Sequence, residues 1–236
     1  MRAFRPHALG YVAELDAAER IVLAQVLADV AQMLGTVEGD TDRTDDDGRP
    51  AGAAAPGDPA GPVERTEVPL DELPPHGLPS EGSAAPGLPA DPALARLLPD
   101  GSHDDADVSS EFRRLTQHDL VDRKTAALML LANLLLAEEP EPGTRAPLLV
   151  RREDAGAVAA ALTDLRLVLA ARLGIETDAQ VEAVHEELVA GSPDEGAADG
   201  PDDGAGAGPR RFFASVFATA GWLQDSLVEG MLGDLG

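Results

Sequence analysis

Leu23, Val26, Leu27, Val30 and Leu34 recur at intervals of three and four residues, the spacing that places apolar side chains on one face of a helix. Asp16 and Glu19 stand where a reciprocal N-terminal cap requires them, and Gly35 is the residue type that ends helices in a left-handed turn. The pattern therefore predicts a helix over 16–34. Asp91 followed by Pro92 opens a short helix through Leu98, closed by Pro99 and Gly101. Thr116 and Asp119 repeat the capping pattern ahead of Leu120–Ala137, which is apolar on almost every side and marks the centre of the core. Val158, Leu162, Leu165, Leu169 and Leu173 share a face of a helix over 153–173 that Gly174 terminates. Thr177 and Gln180 cap the next helix, bearing Val181, Val184 and Leu188. The closing helix, from about Arg210 to Leu232, aligns Phe213, Val216, Phe217, Ala220, Leu223 and Leu227, leaving Phe212 and Trp222 off that face. A two-residue period shows only in Tyr11, Ala13 and Leu15, and β-type residues follow a proline at Leu148, Leu149 and Val150. These predict a small sheet at the edge of the helices.

Two stretches have no such periodicity. Residues 36–92 are rich in Pro, Gly and acidic side chains and hold no aromatic residue, and 190–209 end in the low-complexity run GAGAGP. They read as a disordered acidic insert and a flexible acidic linker. Together they carry more than half of the net charge of -25 in this chain of 236 residues, so the remainder is much less acidic than the whole. The expected fold class is mainly α. One multi-helix domain is assembled from 1–35, 93–189 and 210–236, with an edge β-sheet and interrupting acidic inserts.

Composition narrows the chemistry. Without cysteine there is no disulfide framework, thiolate nucleophile or cysteine-held metal, and the cytoplasm is the expected location. No apolar run approaches the roughly 20 residues of a membrane span, so no membrane partner is expected. The five histidines show no paired metal-ligand spacing. His118 with Asp122, and His185 with Glu186 and Glu187, read as solvated polar helix faces. Ser102 and His103 adjoin in a polar loop, which is not the geometry of a nucleophile and its base. Gly204, Gly206 and Gly208 precede Arg210 and Arg211 but follow no strand, so the run reads as linker rather than as a phosphate loop. No catalytic residue, cofactor or metal is expected.

Basic residues come in doublets, Arg113–Arg114, Arg123–Lys124, Arg151–Arg152 and Arg210–Arg211, with acids near most of them. Helix-surface ion pairing is the plainer account, and a nucleic-acid surface the alternative. Arg166 and Arg172 differ because aliphatic residues surround them in DLRLVLAARLGI. Arg166 should find an acid or helix-end carbonyls in a structural ion pair, since an unpaired buried charge is expensive. Trp222 is expected to fill a gap between helices, with a place at an interface as the alternative.

In combination DPALARLLPD, SSEFRRLT, ALTDLRLVLAARLGI and WLQDSLVEGML resemble an uncharacterised actinobacterial family of unknown function, over nearly all the ordered chain. Asp164, Arg166, Leu173, Trp222 and Gln224 match its pattern. The chain departs at Val158, near which the family has an aromatic residue, and at Thr163, where it has an asparagine. The resemblance implies no activity or catalytic residues. It associates such genes with one for the ClpS proteolysis adaptor and with a sulfur-carrier pathway, and some members with transcriptional regulation. The expected function is a non-enzymatic helical module for protein interaction or regulation, binding a protein partner or itself. Alternatives are a DNA-binding regulator and an accessory to ClpS-type proteolysis. Candidate structural or interaction residues are Asp164, Arg166, Arg172, Trp222 and Gln224.

Overall fold

A computed structural model describes residues 1–43, 89–101, 105–138, 140, 143–190 and 207–234. Most of the predicted 36–92 insert and of the 190–209 linker, together with Ser102 and His103, lies outside the described residues. Described elements run in the order β1 (Arg2–His7), β2 (Gly10–Asp16), α1 (Ala17–Arg43), α2 (Pro92–Leu97), α3 (Ala106–Leu136), β3 (Arg145–Arg151), α4 (Ala155–Leu173), α5 (Asp178–Ala190) and α6 (Ala207–Gly233). The fold is mainly helical with one small sheet, as the periodicity predicts.

β2 is the central strand, antiparallel to β1 on one side and to β3 on the other. Its alternating Tyr11, Ala13 and Leu15 are buried, and Leu148 and Val150 of β3 join them. β1 had no pattern to announce it, because Phe4 is its single core side chain and the rest of RAFRPH is largely exposed. Gly10 begins β2 close against the β3 backbone at Val150 and Arg151. A Cβ there would lie 2.0 Å from the Val150 carbonyl oxygen, so only glycine fits.

The Asp16–Glu19 cap forms in both directions. The Asp16 amide donates to Glu19 Oε2 at 2.8 Å, and the Glu19 amide donates to Asp16 Oδ1 at 2.9 Å. α1 then packs most extensively on α3, burying Leu23, Leu27, Val30 and Leu34. By length and apolar composition Ala17–Val37 could cross a bilayer. In the fold its apolar stripe belongs to the core. The helix does not stop at Gly35 but continues to Arg43. Gly35 has no left-handed backbone, and a glycine inside a helix lowers stability by about 1 kcal/mol relative to alanine without compelling a break.

α3 also departs from its predicted limits. It starts ten residues before Thr116, at Ala106, where Asp105 accepts from the amides of Asp107 and Val108 at 3.0 Å. Thr116 lies within the helix, its hydroxyl turned back to the Phe112 carbonyl at 2.8 Å. A capping pattern works only where the preceding turn is not helical. Here the preceding turn is helical.

α4 is the central helix, packed on α2, α3 and α6. Gly174 ends it as predicted, with φ of 71°, letting the Ile175 amide reach the Ala170 carbonyl at 2.8 Å. Asp91 caps α2, and Thr177 with Gln180 caps α5. α6 buries Val216, Phe217, Ala220, Leu223 and Leu227 on the predicted face.

Candidate functional site

Both exposed sides of α4 border surface grooves, and three of the five candidate residues, Asp164, Arg166 and Gln224, line them. The larger, about 740 Å³, lies between α3 and α4. Leu120, Ala127 and Leu130 of α3 recur at helical spacing and form one wall, while Gly156, Ala157 and Ala160 of α4 form a shallow floor. Because the floor side chains are so short, the α4 backbone lies near the surface. Between Leu120 and Ala127, Lys124 Nζ meets Asp164 Oδ1 at 2.5 Å. Asp164 is only 4% exposed, so this pair ties α3 to α4 and is a structural ion pair of the kind expected for Arg166 instead.

The smaller groove, about 320 Å³, lies between α4, the start of α5, and α6. Thr163 lines both grooves and is the ridge between them. Arg166 is half-buried here, and its partner is neither an acid nor a helix-end carbonyl. Nη1 donates to Gln224 Oε1 at 2.7 Å, and the guanidinium carbon lies 5.5 Å from the Phe217 ring centre. Arg166 Nε is buried without a hydrogen-bond partner. Gln224 is held from its other end, since Nε2 donates to Thr163 Oγ1 at 2.6 Å. The position where the family resemblance expected asparagine thus carries a hydroxyl that fixes the amide bridging to Arg166.

Arg172 is exposed rather than embedded. It pairs with Asp91 at 2.6 Å, and the same carboxylate caps α2 through the Ala93 amide at 2.8 Å. That amide, and then Arg172, hold the Asp91 carboxyl below its ordinary pKa. Trp222 is 40% exposed, so it is not the internal packing residue first expected. It lies on α6 beside Gly221, whose Cα faces Arg166.

The basic doublets do not merge into one unpaired face. Arg113 pairs with Asp100, Arg114 with Glu111 and Arg151 with Glu153, while Arg152 meets Asp234 and Arg210 meets Glu187. Arg123 is the exception. It lines the larger groove with no acid at ion-pair distance among the described residues.

One buried cation escaped sequence reasoning. Arg20, 2% exposed, donates through Nε to the Leu135 carbonyl at 2.8 Å and through Nη2 to that of Leu134 at 3.4 Å. Its Nη1 reaches the carbonyls of Ala146 and Pro147 at 3.2 and 3.4 Å. The first two belong to the last turn of α3, where partial negative charge accumulates. Burial lowers the Arg20 pKa, against the attraction of Glu138. The available signal was position, because Arg20 lies three residues before Leu23 and seven before Leu27, on the apolar stripe.

What the geometry defines is a helical domain with an edge sheet and an open, largely apolar groove. Among the described residues no three metal-ligating side chains converge. The chain belongs to the family described as Domain of unknown function (DUF2017), which matches residues 1–231. No curated protein and no solved structure matches it significantly.

Proposed function

We propose that this domain is a non-enzymatic interaction module of the cytoplasm that holds another protein in the groove between α3 and α4. The observation that carries this reading is the groove itself. Leu120 and Leu130 stand over a floor of Gly156, Ala157 and Ala160, an apolar concavity with polar groups gathered at Arg123, Lys124 and Asp164. Engagement of the basic doublets by acids favours this reading over nucleic-acid binding, which requires cations available to phosphates. Lack of cysteine suits a reducing compartment.

The test is capture from native cytoplasm by the full chain and by Ala160→Trp, which fills the floor from an exposed position. Proteins held by the parent should be lost from the variant while its thermal unfolding is unchanged. Identical captured sets would reject the groove as the working surface.

A further inference from the structure

Resting on the groove proposed above, we infer that its occupant is an amphipathic helix of another protein, presenting an apolar face and one acidic side chain to Arg123. Three observations support this occupant. First, both walls are helices, whose backbone groups are bonded internally. An extended peptide would bury amides and carbonyls against surfaces that offer them no partners, whereas a helix satisfies its own. Second, the dimensions suit one. From Leu120 to Leu130 along α3 is about 15 Å, or roughly three turns, and the short side chains of Gly156 and Ala160 let a neighbouring backbone approach closely.

Third, the charge is local and specific. Lys124 is occupied by Asp164 at 2.5 Å, while its neighbour Arg123 lines the groove and pairs with none of the described acids. An entering carboxylate can take the Arg123 guanidinium in two parallel hydrogen bonds, a geometry that lysine does not offer. With Lys124 held by Asp164, a second entering acid would find no further unpaired cation among the groove's described lining residues. One carboxylate beside an apolar stripe is therefore the complementary pattern.

Two synthetic helical peptides of about three turns provide the probes, each with leucines at i, i+3 and i+7 among alanines. One carries glutamate beside the leucine stripe and its twin carries lysine. The chain's net charge of -25 attracts the lysine peptide everywhere, so a preference for glutamate can arise only locally. The full-length protein should bind the glutamate peptide about tenfold more tightly than its twin, the size of one interfacial charge pair. Arg123→Glu should reverse the order, and Ala160→Trp should abolish binding of both. Equal affinities, or a preference that survives Arg123→Glu, would overturn the inference. So would concentration-dependent self-association that Ala160→Trp removes, because the occupant would then be a second copy. If capture from cytoplasm depends on Ala160 but not on Arg123, the groove reading stands and this occupant falls.

Discussion

Two arginines sit between helices in this domain, and the fold satisfies them in opposite ways. At the junction of α1, α3 and β3, Arg20 is almost wholly enclosed and donates to four carbonyls, with no acid in ion-pair contact among the described residues. At the junction of α4 and α6, Arg166 is half-buried, bonded to one amide oxygen and placed over one ring, with Nε unsatisfied. The first joins three elements through main-chain atoms, which cannot rotate away. The second joins two through side chains that can. A guanidinium can therefore serve as a fixed joint or a loose one according to whether its acceptors belong to the backbone, and the loose one borders a groove.

That contrast can be broken most readily at Arg20. Arg20→Met keeps the apolar stem but strands carbonyls of α3 and β3, and should cost about 3–5 kcal/mol in denaturant unfolding. A cost below about 1 kcal/mol would show that the four contacts contribute no net stability. Asp164→Ala should follow at about 3 kcal/mol, because it leaves the Lys124 ammonium largely enclosed without its counter-charge. Asp164→Leu combined with Lys124→Met should recover most of that loss. Arg166→Ala should cost only about 1 kcal/mol, since its removal uncovers no buried charge and Gln224 keeps its bond to Thr163. A loss as large as that at Arg20 would erase the distinction between fixed and loose joints.

The smallest effect tests a third joint, where Asp234 accepts from the Tyr11 hydroxyl at 2.8 Å and from Arg152 at 3.0 Å. The Tyr11 bond, and then Arg152, lower the Asp234 pKa. The same bond to Asp234 raises that of Tyr11. A lowered carboxyl contributes stability above its unfolded value of about 3.9 and loses it as pH falls through the folded value. A raised phenol contributes below its unfolded value of about 10 and loses it as pH rises through the folded one. Tyr11 is the chain's one tyrosine, so alkaline titration by ultraviolet absorbance reads it directly. Asp234→Asn should shift that titration to lower pH, and an unchanged curve would mean the bond does not persist in solution.

What could be read in advance followed from how local its cause was. The caps at Asp16, Asp91 and Thr177, the left-handed stop at Gly174 and the buried face of α6 depend on residues within a turn or two of each other, and all formed. Gly35 and Thr116 carried the same local signals, but the helices continued through them. The partner of Arg166 is not legible in the sequence because Gln224 is 58 residues away and neutral, with no charge to mark it as a counterpart. The groove was least legible. Its walls read as ordinary stripes on α3 and α4, and only their packing reveals which parts stay open.

The sheet also governs when the fold can be completed during synthesis. Phe4 of β1 donates its amide to Ser226 of α6 across 222 positions, and β2 pairs along its length with β3, more than 120 residues later. The β1–β2 hairpin leaves the ribosome before its neighbouring strand and its covering helix and must therefore wait for both. Contacts so distant in sequence close late and slow folding. At synthesis rates of about 5–20 residues per second, that hairpin waits roughly ten seconds or longer. Until α6 arrives, Phe4 and Tyr11 lack the helix that packs on them, and a nascent chain stalled before α6 would display them to whatever binds exposed apolar strands.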